Sequence, residues 1–342
     1  PVILVGENGT GKSTILSNIV DSFYEMAQKH FMNATTSREN GGHNFFKTIL
    51  PNEIHSGESY MYSVLLYTCV ETPNEEPPIY VCKSGNVTID NIKEQTSTSI
   101  SSISGSKEGN EKVVKASSEQ VSSIWDKNVI CYFGPDRYEC PVWLGDSYYT
   151  YSDYLHPKVE GSFNGYLKNP ITVHDVTNLN LQWLLDVVAD SRGDIIGEAG
   201  ALSLAHISTK NLLLMRQARE NLEKILSIII GKDVYFHLNF RSLYGARFRI
   251  VQKENDNVIC PTLDSLSTGQ IALFNIFATI IHYADNNDIT KSIHLDEITG
   301  IVVIDEIELH LHSKLQKEVL PKLIAMFPKI QFIITSHSPL FL

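Results

Sequence analysis

Long apolar runs are missing from this sequence. No stretch of its 342 residues approaches the roughly 18 uninterrupted apolar residues that a membrane-spanning helix needs, so no membrane partner is expected and the cytoplasm is the expected compartment. Pro1 to Val5 run straight into a glycine loop, so these residues are not expected to form a secretory leader. Positive charge is scarce as well. Lys and Arg number 28 against 39 Asp and Glu, and the resulting formal charge of −11 repels phosphate backbones at long range. Any nucleic-acid contact has to be local or supplied by a partner. The five cysteines, Cys69, Cys82, Cys131, Cys140 and Cys260, are scattered, odd in number and without CxxC spacing. That excludes a zinc ribbon or dithiol redox pair and leaves reduced, mostly buried thiols. Neither an internal repeat nor sustained heptads occur, which excludes a solenoid and a long coiled-coil arm.

What the chain does have, at 43% hydrophobic content, is enough apolar material for a full α/β core and a second subdomain. The run VILV at 2–5 reads as a buried strand met inside a domain, so an upstream segment is expected. Ile15 to Met26 carries apolar residues at helical spacing and follows the loop directly. Residues 60–70 and 78–82 read as strands separated by the turn-forming ETPNEEPP, completing an N-terminal lobe over 1–82. Between Lys83 and Gln120 there is no aromatic residue and Ser is frequent, so 83–120 is expected as a flexible insert. A core continuation over 121–176 contains the apolar run Val129 to Phe133. A helical lid follows over 177–232. Two alternating runs at 234–240 and 247–251 predict a hairpin opening the C-terminal lobe, 233–342.

Gly6-Glu7-Asn8-Gly9-Thr10-Gly11-Lys12-Ser13-Thr14 matches GxxxxGK[ST] and sits between an apolar strand and an amphipathic helix. Glycines there let backbone N–H groups wrap a β-phosphate at the positive helix end, while Lys12 reaches β and γ oxygens and Ser13 ligates Mg²⁺. ATP and Mg²⁺ are therefore the expected cofactors. Nearly the whole chain later, Ile301-Val302-Val303-Ile304 is a buried-strand run ending in Asp305 and Glu306. Asp305 would hold the hydrated Mg²⁺, and Glu306 would face the attacking water as general base.

Leu266-Ser267-Thr268-Gly269-Gln270, directly before the apolar helix IALFNIFATII, resembles the LSGGQ signature of ABC-type ATPases, including the heads of SMC and RecF proteins. Thr335-Ser336-His337-Ser338-Pro339 after the strand IQFII resembles their switch histidine, and the order of the four motifs is theirs. The segment DEIELHLHSKLQ resembles the form found in stand-alone ABC-type ATPases of bacterial defence systems, of OLD, Septu and retron-associated type, with Ser313 where proline is usual; RYECPVWL at 137–144 is a looser match.

The resemblance implies an ABC-type P-loop ATPase head with a helical lid and a flexible insert, closing head to tail with a second copy around nucleotide. In that arrangement Ser267, Thr268 and Gly269 would face the nucleotide bound by the partner copy, and His337 the γ-phosphate bound by its own. Taken by itself, Ser267 with Gln270 also reads as an ordinary capping box. The implied partner is a separate effector nuclease of HNH type, together with a retron's reverse transcriptase and its DNA. The alternatives are an OLD-type nuclease with a TOPRIM domain after Leu342, and a RecF-like DNA-repair ATPase. His310 and His312 have two readings: an HxH pair offering two metal ligands, for which no third and fourth ligand is evident beyond Glu308, or a place near the dimer seam, which is the one expected. No glutamine is assigned the Q-loop role, since Gln95 and Gln120 lie in or beside the insert and Gln182 in the lid. Arg137, after the turn GPD, has two readings: approach to phosphate, or a structural ion pair.

Overall fold

The computed structural model describes residues 1–34, 54–68, 76–96, 103, 105, 107–135, 137, 165–174, 177–191, 196–198, 201–203, 209–238, 248–261, 263–288 and 293–341. The chain divides into two compact units, Pro1–Lys12 with Asp126–Lys158 and Lys168–Leu342, and Ser13–Trp125 with Val159–Leu167.

The first unit is built on a five-stranded parallel sheet. Its strands are β1 (Val2–Val5), β5 (Val129–Phe133), β6 (Thr172–Val173), β12 (Gly300–Ile304) and β13 (Ile330–Ser336), in the order β1-β13-β12-β5-β6. The apolar runs VICYF, GIVVI and IQFII occupy the three central strands because both faces of a parallel sheet are covered. Val302, Val303 and Ile304 are fully buried. The register aligns Val5 with Ser336 and Ile304 with Ile334, so the loop after β1 and the residues following β12 and β13 emerge at the same end of the sheet. Gly300 begins β12 at φ 149° and passes so close to Val129 that a Cβ there would overlap its carbonyl.

Helices α4 (Thr177–Asp190), α5 (Thr209–Ile230) and α6 (Thr268–Asn287) cover this sheet, and an antiparallel sheet β11-β10-β9 joins them, with β9 at Val234–Leu238, β10 at Phe248–Gln252 and β11 at Val258–Cys260. The predicted hairpin is present as the β9–β10 pair. A two-stranded pair, β7 (Ile196–Glu198) and β8 (Ala201–Ser203), lies between α4 and α5 in sequence. The lid boundary is revised. Leu184, Val188, Leu222, Ile225 and Leu226 share one buried cluster with Cys131, Phe133, Phe274, Phe277 and Phe332, so α4 and α5 belong to the same core as the sheet. Their apolar stripe is what places them there.

In the second unit, helix α1 (Lys12–Ala27) continues from the glycine loop and buries Leu16, Val20 and Phe23, leaving Ile15 half exposed. Strands β2 (Tyr60–Leu66), β3 (Ile79–Gly85) and β4 (Glu111–Lys115) form an antiparallel sheet, accompanied by α2 (Ile89–Gln95) and α3 (Ser118–Lys127). Buried Asp21 of α1 accepts a hydrogen bond from the Tyr80 hydroxyl and, at 2.7 Å, from Lys112 Nζ. The expectation of an insert without core elements over 83–120 is corrected here. Val87, Ile89, Ile92 and Ile103 are buried with Ile79 and Val81, and β4 pairs with β3 along five residues. The few apolar side chains in this Ser-rich segment converge through strand pairing, which local composition does not reveal. Residues 138–164, including the rest of RYECPVWL, lie outside the described residues.

Candidate functional site

The glycine loop leaves β1 with the Gly6 N–H bonded to the Ser336 carbonyl at 3.4 Å. Gly9 and Gly11 adopt φ of 81° and 85°, a region in which side chains are strained, although a Cβ at either would meet nothing within 4 Å. The demand for glycine is thus torsional, and open space remains above the loop. Thr10 Oγ1 donates to the Glu7 carbonyl at 2.9 Å and braces the turn. Lys12, 8% exposed, donates from Nζ to the carbonyls of Gly6 at 2.8 Å and Glu7 at 2.7 Å. Ser13 and Thr14 follow as the second and third residues of the 16-residue α1. A helix start, the ammonium over the loop and the open face fit a phosphate chain.

Asp305 and Glu306 follow β12. Asp305 is 3% exposed, donates its backbone N–H to the Phe133 carbonyl at 2.9 Å, and receives the Thr335 hydroxyl on Oδ1. A buried carboxylate placed at the sheet end is chemically suited to a divalent cation. Glu306 sits at φ 47°, in the left-handed region. Its N–H donates to Thr335 Oγ1 at 2.9 Å. Arg137, 3% exposed, donates from Nη1 to the carbonyls of Gly134 at 2.9 Å and Asp305 at 2.8 Å, and from Nη2 to the Glu306 carbonyl at 3.0 Å. Neither reading of Arg137 included a grip on backbone carbonyls.

His337 joins the two ends. Its Nδ1 lies 3.3 Å from Lys12 Nζ and 3.0 Å from the Gly6 carbonyl, and its Nε2 lies 3.5 Å from Glu306 Oε1. The roles of the ring nitrogens depend on the tautomer, since Nδ1 can accept from the lysine or donate to the Gly6 carbonyl but not both. The His337 backbone N–H donates to Glu308 Oε1, and Ser338 Oγ donates to Gln316 Oε1 at 2.7 Å. Gln316 in turn donates to the Leu311 carbonyl at 2.7 Å, tying the HLH loop to the histidine loop. Lys12, Glu306 and His337 are therefore brought together, with Asp305 adjoining. In the sequence Thr335 stands only as the first residue of the histidine motif, and Glu308 and Gln316 only within DEIELHLHSKLQ, where no local pattern shows these hydrogen bonds.

The signature segment lies on the same unit. Ser267 caps α6, accepting from the Gln270 N–H at 3.4 Å, while its own N–H donates to Gln270 Oε1 at 3.0 Å, so the capping box is present. Ser267 and Thr268 are exposed. Gly269 is buried by its own chain, since a Cβ would lie 2.6 Å from the His310 carbonyl and 2.9 Å from Leu315 Cδ1. Glycine is needed there for packing, whatever else the segment does. His310 is exposed at φ 63°, His312 is exposed, and no group of three or more His, Cys, Asp or Glu among the described residues could hold a metal by itself.

Known proteins similar to this chain include ATPases. A family model described as "AAA domain, putative AbiEii toxin, Type IV TA system" matches residues 192–342, which hold the signature, Asp305-Glu306 and His337. The chain is 24% identical to "Retron Ec83 probable ATPase" of Escherichia coli over 98% of its length, and 24% identical to "Retron Vc95 probable ATPase" of Vibrio cholerae over 99%. It resembles retron ATPases from end to end. The chain spans 64% and 66% of those two relatives. A shorter segment, 12% of the chain and 6% of the relative, is 56% identical to the Septu protein PtuA of Bacillus mycoides. The resemblance to defence-associated ATPases therefore holds, and the α/β P-loop ATPase fold is as expected. Among solved structures, the SMC head domain from Thermotoga maritima aligns with a TM-score of 0.39 at 13% identity, covering 99% of this chain and 81% of that one. No helix among the described residues is long and apolar enough to cross a membrane.

Proposed function

We propose that this chain hydrolyses ATP in a Mg²⁺-dependent reaction and closes as a head-to-tail dimer whose state controls an associated effector nuclease in anti-phage defence. The observation that carries the hydrolytic part is the convergence of Lys12, Glu306 and His337, with 3.3 Å between the lysine and the imidazole and 3.5 Å between the imidazole and the carboxylate. In this reading Gly6, Asn8, Gly9, Thr10, Gly11, Ser13 and Thr14 surround the phosphates, and Lys12 neutralises their β and γ oxygens. Ser13 and Asp305 would hold Mg²⁺, which would supply charge neutralisation for the transferring phosphoryl group. Glu306 takes the proton of the attacking water, and His337 orients that carboxylate and contacts the γ-phosphate region.

Dimerisation is supported by what one chain leaves exposed. The glycine loop serves its own nucleotide, while Ser267 and Thr268 present hydroxyls at the start of a 20-residue helix. Those donors suit the nucleotide of a second copy. The reading of a nuclease partner is supported by the likeness to retron and Septu proteins and by the charge of −11, which disfavours direct DNA binding.

The test is Glu306→Gln. It retains the phosphate contacts, so ATP binding should stay near wild type while turnover falls about 10² to 10⁴-fold, the usual cost of losing a general base. Wild-type turnover in the purified variant would sink the assignment.

A further inference from the structure

We propose that Arg137 is a positioning residue for hydrolysis, acting through Glu306; the inference rests on the role proposed for that carboxylate. The guanidinium is 3% exposed and reaches two consecutive carbonyls, Asp305 at 2.8 Å and Glu306 at 3.0 Å, with the Gly134 carbonyl at 2.9 Å as its third support. A planar fork can hold two adjacent carbonyls in fixed relative orientation, which a single ammonium point cannot do. On the other side of the same residue, the Glu306 N–H is held by the Thr335 hydroxyl at 2.9 Å. Both peptide groups flanking the Glu306 Cα are therefore clamped, and between them the backbone stands at φ 47°.

That torsion aims the Glu306 side chain toward His337 Nε2. A glutamate released from the clamp relaxes toward ordinary negative φ, which swings its side chain off this line. The hydrogen bonds described go to the ends of β5 and β12 and not to the glycine loop, so loss of the clamp should spare nucleotide affinity. The signature of such a residue is a fall in kcat with KM retained, and a loss that disappears once Glu306 is no longer a base.

The experiment compares wild type, Arg137→Lys, Glu306→Gln and the double variant by steady-state and single-turnover ATP hydrolysis, with affinity read from a fluorescent ATP analogue. Arg137→Lys should lower kcat about 10 to 100-fold, as removal of supporting interactions commonly does. KM and analogue affinity should stay within about 2-fold, and the double variant should turn over no more slowly than Glu306→Gln alone. A wild-type kcat in folded Arg137→Lys overturns the inference. So does a loss carried by nucleotide affinity, which would mark a phosphate contact, or a loss that multiplies in the double variant. Should Arg137→Lys fail to fold, Arg137→Ala assayed with and without millimolar guanidinium decides: regained turnover supports the role, and none counts against it. Glu306→Gln separates the two layers. If that variant hydrolyses ATP normally, the proposed function of Glu306 fails; if it is slow while Arg137→Lys is not, only the present inference fails.

Discussion

Glu306 occupies a left-handed conformation that costs an L-residue about 1–2 kcal/mol. Hydrogen bonds from Arg137 and to Thr335 offset that cost, and strain maintained in this way clusters at functional sites. The paired acids were legible in the sequence because an apolar run ending in Asp-Glu has a specific form. Their support was not. Arg137 lies 168 residues before Asp305, and nothing local connects them. A second residue-scale effect concerns His282 on α6, stacked on Trp183 with ring centroids 4.6 Å apart. Burial pushes its pKa from 6.5 down to about 4. Between those values the unfolded chain binds the proton and the folded one does not, so this residue's contribution to stability is present above pH 6.5 and is lost as pH falls toward 4. Neighbouring Asp285, which accepts from Trp183 Nε1 at 3.3 Å, has its pKa raised by burial and acts with the opposite sign, gaining stability as it protonates. His282→Phe, which keeps the stack, should flatten the fall in urea stability between pH 6.5 and 4. Unchanged slopes would show that His282 does not titrate as described.

At the scale of elements, the start of α6 combines two demands on one short segment. Ser267 and Thr268 are exposed, as the proposed contact with a second copy requires, while Gly269 must let the helix approach the HLH loop. Gly269→Ala would press a methyl against a backbone carbonyl, so it should destabilise the fold by about 1–3 kcal/mol in urea denaturation. Exposed Thr268→Ala should remain within about 0.5 kcal/mol of wild type. Equal midpoints for the two would remove the packing account of Gly269. Elements carried by their own pattern were readable in advance: β5, β12 and β13 as apolar runs, β9 and β10 as alternating ones, and α1 by its helical spacing. β4, with the sequence EKVVK, was not, because its half-buried state comes from pairing with β3 rather than from its own composition. The helices α4 and α5 were read correctly as helices but assigned to a lid, since an apolar stripe does not say which core it joins.

For the whole molecule, strand order is what turns distant motifs into a site. Lys12 and His337 are 325 residues apart, yet β1 lies beside β13 and β13 beside β12, so their C-terminal ends deliver the loop, the histidine and the acids together. That convergence was legible only through the order of the motifs, because no local pattern fixes how parallel strands are arranged. The same unit leaves Ser267 and Thr268 exposed, and the central claim is that a second copy completes each site. The most direct measurement is the ATPase rate of Lys12→Ala mixed with Ser267→Arg. Each variant alone should be nearly inactive. In a mixed dimer, both lesions fall in one site and the other is intact, so an equal mixture with random pairing should recover about one quarter of the wild-type rate. A mixture that contains heterodimers yet stays as inactive as its parents, or Ser267→Arg hydrolysing ATP normally by itself, would contradict the composite site.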